Sequence, residues 1–400
     1  MAKSLQYAAV IGLFSILLAS GISASVSASP ELIRDRYIVI LNDDTEPWSV
    51  ANEMAQERGL AISNVYGNAV NGFSATIPKG QLDKVSSDSR VKYIEQDAIV
   101  TIYKKPTDKP GKGGSGDGDS TVPPQIIPTG ISLIKSTTSG TVNVNVAVID
   151  TGIDTNHPDL NVVGGENFVF RGKDTFDDGN GHGTHVAGTI AAIDNNQGVI
   201  GVVPGANLYS VRVLDNSGSG TYSGVIAGID WVAANADIID VANMSLGGTK
   251  SQAINDAVET AISAGIVFVV AAGNENADAC LKSPASAPNA ITVSALNDGD
   301  GILDNDDSFA RFSNWGTCVD MIAPGVDIES TYKGGGYSTL TGTSMASPHV
   351  AGAAALYLVA NPGSSPADVR DALVSAGSLS WNNSGDPDII KEPLLDVSEI

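Results

Sequence analysis

The sequence predicts a layered α/β domain built on a mostly parallel sheet, preceded by a small α+β module. Three observations carry this prediction. Val- and Ile-rich runs alternate with helical stretches from Val142 onward, the pattern of strands buried on both faces. Ahead of them, residues 36–102 hold strand-like and helix-like segments in a compact set of their own. Between the two, Lys104–Ser120 (KKPTDKPGKGGSGDGDS) lacks any residue able to build a core, and reads as a solvated linker open to proteases. A length of 400 residues accommodates two or three such bodies.

At the N-terminus, Lys3 precedes a short apolar run, Tyr7–Ala19, and small residues ending Val26-Ser27-Ala28 follow. This is the layout of a secretory signal, assigned to residues 1–28. The run is shorter than the roughly 20 residues that span a bilayer, and an uncleaved anchor is the alternative. The α+β module, residues 31–103, opens with the strand Arg-Tyr-Ile-Val-Ile-Leu from Arg36 and a helix at Trp48–Leu60. Strands within Val65–Ile77, a short helix at Gly80–Ser86 and a strand at Val91–Ile102 complete it. After the linker, residues 104–124, the larger domain occupies residues 125–400. Its strands are predicted at Val142–Ile149, Leu208–Val213, Ile238–Met244, Ile266–Ala272 and Ala290–Ala295. Its clearest helices are His185–Ile193, Tyr222–Ala234, Ser251–Ala264 and Ser344–Val359.

Charge excludes some partners. Against 22 Lys and Arg stand 45 Asp and Glu, a net charge of −23, which repels phosphate backbones and anionic lipid surfaces. The acidity sits in the C-terminal part: from Thr121 onward there are 31 acidic and 10 basic residues, against 14 and 12 before it. Neither nucleic acid nor, once the signal is removed, a membrane is an expected partner. Two cysteines allow one disulfide at most.

The active crevice of such a sheet lies beyond the carboxyl ends of its strands, and three reactive side chains fall there. Asp150 ends the first strand in VAVIDTGID, His182 lies in GNGHGTHVAG where a helix starts, and Ser344 opens the last long helix in GTSMASPHVAG. Singly they also read as a turn residue, a loop histidine and an N-cap. Glycines flank two of the three and allow close backbone approach by a substrate. His182 and His185 are three apart, whereas a zinc peptidase helix needs a spacing of four and a neighbouring Glu. The G-x-S-x-G elbow and Ser, Asp, His order of α/β-hydrolases are also missing.

The motifs DTGID, HGTHVAG, NMSLGG, AAGNE and GTSMASPHVAG, in the order Asp, His, Ser, resemble the subtilisin family of serine endopeptidases, nearer its proteinase K and aqualysin-like branch. The resemblance runs from Gln125 to the C-terminus, and Arg36–Ile102 resembles the I9-type inhibitory propeptide that precedes such domains. It implies helices on both faces of the sheet and a ferredoxin-like propeptide. It also implies Ser344 as nucleophile, His182 as general base and then acid, and Asp150 as the group that orients the imidazole. Asn274, with the Ser344 backbone N–H, would stabilise the oxyanion. An extended substrate would lie between Ser245-Leu246-Gly247 and Gly218-Ser219-Gly220. The first pocket, walled by Ser245 to Gly247 and by Ala271, Ala272 and Gly273, leaves room for large apolar or aromatic side chains. Tyr222 would line a second apolar pocket, with an ordinary packed tyrosine as the alternative.

The same resemblance implies structural calcium, held by side chains of Gln125, Asp159 and Asn195 and carbonyls of Ile193, Gln197 and Val199; an Asx-rich surface loop is the alternative. The stretch NDGDGILDNDDS, 297–308, resembles the D-x-D-G-x-x-D calcium loops of dockerin and thrombospondin-type repeats. Leu296 stands where those loops begin with an acidic residue, while Asp298, Asp300, Asp304 and Asp307 remain in range. A solvated acidic insertion is the other reading. Cys280 and Cys318 occupy positions like a disulfide of the aqualysin-like branch. The linker is a departure from the family and leaves the processing point open between Tyr103 and Pro124. The expectation is a secreted, monomeric, self-processed zymogen acting on proteins. The competing class is a silent binding protein on the same fold, against which the full set Asp150, His182, Ser344 and Asn274 weighs.

Overall fold

The structure is a computed structural model and describes residues 31–102, 123–136, 142–169, 175–303 and 307–400. The signal assignment, nearly all of the linker and Asp304 lie outside the described residues.

The N-terminal domain runs β1 (Leu32–Leu41), α1 (Pro47–Arg58), β2 (Ala61–Tyr66), β3 (Gly72–Thr76), α2 (Leu82–Ser86) and β4 (Val91–Ile102). Its antiparallel order β4-β1-β3-β2 is the ferredoxin-like arrangement. Val39, Leu41, Val50, Met54, Phe73 and Val85 form its core. Helix α1 starts one residue before the predicted boundary because Glu46 accepts the N–H groups of Trp48 and Ser49 and Pro47 fits the first turn. It stops at Gly59, whose φ of 69° is the left-handed cap glycine supplies cheaply.

The larger domain continues with α3 (Thr129–Leu133), β5 (Asn145–Asp150), β6 (Val162–Asn167), α4 (His182–Ala191), β7 (Asn207–Arg212), β8 (Ser219–Thr221), α5 (Tyr222–Ala234), β9 (Val241–Met244) and β10 (Leu246–Thr249). Then come α6 (Gln252–Ser263), β11 (Val267–Ala271), β12 (Lys282–Ser283), β13 (Ile291–Asn297), β14 (Ser308–Phe309), β15 (Met321–Pro324), β16 (Ile328–Tyr332), β17 (Gly336–Leu340), α7 (Thr343–Ala360) and α8 (Pro366–Ala376). Strands β6-β7-β5-β9-β11-β13-β15 lie parallel in that order, and short β14 pairs antiparallel with the end of β13.

Both faces of this sheet are covered, as β5 shows. Val146 and Val148 join the apolar cluster that contains Val186 and Ile190 of α4 and Val350 of α7. Their neighbours Ala147 and Ile149 join the opposite cluster, with Val225 and Ile229 of α5 and Ile254 and Val258 of α6. Alternate side chains therefore serve different layers, which is why the strand reads as a continuous apolar run. Each fully buried Val or Ile contributes about 1.5–3 kcal/mol. Strands β6, β8, β10, β12, β14, β15, β16 and β17 and helices α3 and α8 lie outside the sequence prediction. Among the described residues no helix is long and apolar enough to cross a membrane.

Candidate active site

Asp150 ends β5, fully buried, and His182 opens α4. The imidazole Nδ1 lies 2.8 and 3.0 Å from the two Asp150 oxygens, and the Thr151 N–H donates to Oδ1 at 2.7 Å. Helix α4 begins at His182 rather than at the predicted His185 because Asp178, a residue sequence reasoning missed, gathers its first turn. Asp178 accepts the N–H groups of Asn180, Gly181 and Thr184 and the hydroxyls of Thr151 and Thr184. Burial pushes its carboxyl upward against those hydrogen bonds. The sequence signal is an Asp a few residues before a helix start, a common arrangement that alone points to no particular function.

Ser344 lies in the first turn of α7, fully buried. Pro348 four residues on has no N–H, so the Ser344 carbonyl loses its helical donor. The Ser245 hydroxyl takes that place at 2.9 Å, and Asn243 Nδ2 donates in turn to Ser245 Oγ at 3.0 Å. Ser347 completes the brace by donating to Asn243 Oδ1 at 2.7 Å. The Ser344 hydroxyl donates to the Ser245 carbonyl at 3.0 Å, while His182 Nε2 is buried without a hydrogen-bond partner. The expected hydrogen bond from nucleophile to imidazole is thus replaced by one to the backbone carbonyl across the cleft. Asn274 Oδ1 accepts both the N–H and the hydroxyl of Thr343, each at 2.9 Å, which fixes the orientation of its amide. Thr343 is the residue immediately before Ser344.

The segments expected to hold an extended peptide hold one here. β4 leaves its own sheet and runs between β8 and β10, with Ile99, Val100 and Thr101 opposite Thr221, Gly220 and Ser219. On its other edge Thr101 and Ile102 stand opposite Gly247 and Leu246, and the Ile102 N–H donates to the Gly218 carbonyl at 3.0 Å. Gly218, at φ 78°, permits this approach: a Cβ there would stand 2.7 Å from Ile102 Cδ1. Val100 and Ile102 are buried in one cluster with Leu214, Tyr222 and Leu246. Tyr222 is itself buried, its hydroxyl on the Thr249 carbonyl at 2.7 Å. Ala271, Ala272 and Gly273 follow from the end of β11, also buried. Further polar contacts seal the two domains. Glu95 accepts the Ala253 N–H in the first turn of α6, and Asp230 accepts those of Gly67, Asn68 and Ala69.

The residues proposed for calcium come together. Asp159 is fully buried, with Oδ1 taking Asn195 Nδ2 at 2.9 Å and Oδ2 taking the Val199 N–H at 3.1 Å and the Tyr337 hydroxyl at 3.2 Å. Gln125 Oε1 accepts the Asn195 N–H, bridges tie Pro124 to Gln197 and Ile126 to Val199, and the Ile193 N–H donates to the Asp159 carbonyl. Burial pushes the Asp159 carboxyl upward. Both Asp159 oxygens face N–H and O–H donors here and the Gln125 and Asn195 amide oxygens accept backbone N–H groups, so these oxygen ligands suit a hard cation once those contacts turn aside. In the acidic loop, Asp298 accepts the N–H groups of Asp300 and Gly301, Asp300 accepts that of Ile302, and Asp307 is buried. Cys280 and Cys318 form a disulfide with Cα atoms 5.4 Å apart. Closing its 38-residue separation is worth roughly 4 kcal/mol in the chain-entropy account.

Comparison with known proteins accords with this geometry. The family model described as the subtilase family matches residues 141–388, and that described as peptidase inhibitor I9 matches residues 36–103. Subtilisin E of Bacillus subtilis (strain 168) is 41% identical over 360 residues, covering 87% of this chain and 86% of its own. Alkaline serine exoprotease A of Vibrio alginolyticus is 42% identical over 359 residues, covering 86% of this chain and 64% of its own. A cold adapted subtilisin-like serine proteinase of known crystal structure is 43% identical, with a TM-score of 0.58 over 67% of this chain and 97% of that one. With its α/β sheet, its I9 domain and a family match across most of the larger domain, the chain belongs to the subtilase family of serine endopeptidases.

Proposed function

We infer that the protein is a secreted zymogen that hydrolyses peptide bonds of proteins with broad specificity, large apolar or aromatic side chains favoured in the first pocket. The observation that carries this reading is Ile99–Ile102 paired on both edges with Ser219–Thr221 and Leu246–Gly247, as an extended substrate would be. The chain divides into a signal at residues 1–28, an inhibitory domain at 31–103, a linker at 104–124 and a catalytic domain at 125–400. Export is supported by the signal pattern and by the disulfide, which suits an oxidising compartment. The enzyme works as a monomer, with protein substrates and its own propeptide as partners.

In the reaction, rotation of the Ser344 side chain transfers its hydroxyl from the Ser245 carbonyl to His182 Nε2. Oγ then bonds to the scissile carbonyl carbon as its proton passes to Nε2, and Asp150 holds Nδ1 and stabilises the imidazolium. The carbonyl oxygen becomes an oxyanion facing the Asn274 amide and the Ser344 N–H at the helix N-terminus. The C–N bond breaks, the amine leaves with the proton from His182, and water activated by the same imidazole hydrolyses the acyl-enzyme. Asn243, Ser245 and Ser347 keep the nucleophile's backbone in place. Side chains of Gln125, Asp159 and Asn195, with carbonyls of Ile193, Gln197 and Val199, would hold calcium, whose charge would offset the buried carboxylate and tie loop 193–199 to residues 123–126.

The test is intact mass and casein hydrolysis of purified wild type beside Ser344→Ala, with calcium and with chelator. Wild type is expected to mature and digest casein while Ser344→Ala stays full length and inert. Maturation of Ser344→Ala in a clean host overturns self-processing, and an inert, full-length wild type overturns the catalytic reading.

A further inference from the structure

The segment from Trp381 to Glu392 encloses charge that catalysis does not use. Glu392 is 2% exposed, and neither of its carboxylate oxygens meets a hydrogen-bond donor. Asp386 Oδ2 is likewise enclosed without a donor, while its Oδ1 accepts the Asp388 N–H at 3.3 Å. Three carboxylate oxygens are thus buried within one short stretch and nothing donates to them. The charges that act on Glu392 are those of Asp386, Asp388 and Asp320, all negative, and Asp320 already has Arg370 as its partner. The neighbouring cation, Lys391, sits over the Trp381 ring at 5.3 Å.

We propose that Glu392 and Asp386 bind a hard divalent cation, calcium by the chemistry of the donors, and thereby fasten the C-terminal segment to the sheet. A buried, unpaired carboxylate is costly and is relieved by a proton or by a cation. A single proton, even one shared between the two carboxyl groups, satisfies at most two of these three oxygens. A cation can meet all three at once, since calcium takes six to eight oxygen ligands at about 2.3–2.6 Å. No group of three or more His, Cys, Asp or Glu gathers for a metal among the described residues. The ion therefore rests on two carboxylates, with backbone carbonyls and water completing its shell. Burial and the like charges push Glu392 up to about 8, a measure of how poorly the bare anion is accommodated. The frame around the site is fixed: Trp381 Nε1 donates to the Glu392 carbonyl at 2.8 Å, Ser378 and Leu394 exchange N–H···O bonds, and Leu394 bridges to Ile322 of β15. This site shares no residue with the Asp159 cluster, and the acidic loop borders it, Leu303 and Phe309 packing with Trp381.

The experiment uses the full chain carrying Ser344→Ala to suppress self-digestion, stripped of divalent ions and titrated with calcium chloride by calorimetry. Versions also carrying Glu392→Gln, Asp386→Asn or Asp159→Asn are titrated beside it. Glu392→Gln and Asp386→Asn are expected to weaken the same single site at least tenfold, and Asp159→Asn to leave that site intact. Terbium(III), excited through tryptophan, should luminesce in the parent and lose that signal in Glu392→Gln and in Trp381→Phe. Equal calcium stoichiometry and affinity in the parent, Glu392→Gln and Asp386→Asn, with no Trp381-dependent terbium signal, overturns the proposal and leaves Glu392 as a buried neutral acid. Should Glu392→Gln fail to fold, the partly exposed Asp386→Asn carries the test by the same two readouts.

Discussion

Asp97 of the N-terminal domain accepts both the backbone N–H and the hydroxyl of Ser223, at 3.1 and 2.7 Å, in the first turn of α5. Asp97 is fully buried, and Arg36 lies 3.1 Å from it while also donating to the Ser223 hydroxyl at 3.0 Å. A carboxylate of one domain thus caps a helix of the other, where the helix dipole favours negative charge. Removing one partner of a buried, hydrogen-bonded charge pair costs about 2–5 kcal/mol. Asp97→Asn in the full chain should therefore loosen the inhibitory domain by at least an order of magnitude. The lag before a peptide substrate is turned over should shorten accordingly; an unchanged lag would show that this contact does not restrain release.

Asp150→Asn should lower kcat by about 10⁴ with KM little changed, because the imidazole loses the partner that fixes its tautomer. Asn274→Ala should lower kcat by about 10²–10³, the penalty known for the corresponding donor in subtilisin. Steady-state kinetics on a chromogenic peptide measure both. An Asn274→Ala loss expressed mainly in KM would remove Asn274 from the oxyanion role.

Two buried histidines should make the fold acid-sensitive. Burial depresses His185 to about 3 and His349 to about 4, against 6.5 for the free side chain. Above pH 6.5 both are neutral whether the chain is folded or not. As the pH falls below that, the unfolded chain takes up two protons the native state refuses, so stability drops by about 1.4 kcal/mol per pH unit for each histidine until pH 4. Glu392, pushed up to about 8, and Asp159, Asp178, Asp240, Asp320 and Asp386, all raised by burial, pull in the opposite sense and offset part of this fall. Thermal melts of Ser344→Ala between pH 7 and pH 4 should show the fall, and His349→Gln should flatten part of it. A His349→Gln protein whose Tm follows the same pH course as the parent would contradict this account.

Calcium should stabilise through Asp159. A ligand at a thousandfold its Kd adds about 4 kcal/mol to a single-site protein. Chelator should lower the Tm of Ser344→Ala, and should lower it by less when Asp159→Asn is added, since only the Glu392 site then remains to lose calcium. Scanning calorimetry distinguishes this from a bare Asx-rich loop, for which chelator would lower the Tm of both proteins equally.

The candidate triad stands out in sequence because glycine and small residues crowd it: Asp150 precedes Thr151-Gly152, and His182 lies between Gly181 and Gly183. The long strands were legible because burial on both faces gives unbroken Val and Ile. The hairpin β16–β17 was not, since STY and YST carry no run of that kind, and it forms by donating to α4 through the Ser330 and Thr331 hydroxyls. Strand β8 has three residues, too few for any period, and exists as a strand because β4 lies against it. The pairing of Asp97 with Ser223 spans 126 positions, a separation over which local pattern carries no information. The Glu392 carboxylate, lying between Lys391 and Pro393, reads in sequence as an ordinary surface charge.

Strand β4 is an edge strand in one sheet and the middle strand in another, and this sets how inhibition can end. A plug held by side chains alone can back out as a rigid body. A ribbon woven into two sheets has to be unpicked rung by rung, or else be cut while still in place. The dwell time of the blocked state then depends on fraying at Ile99–Ile102 and on nicking elsewhere in the N-terminal domain, as well as on contacts such as Asp97–Ser223 that hold the domain in place. Shortening the ribbon by one rung would speed release more than weakening any comparable contact away from it.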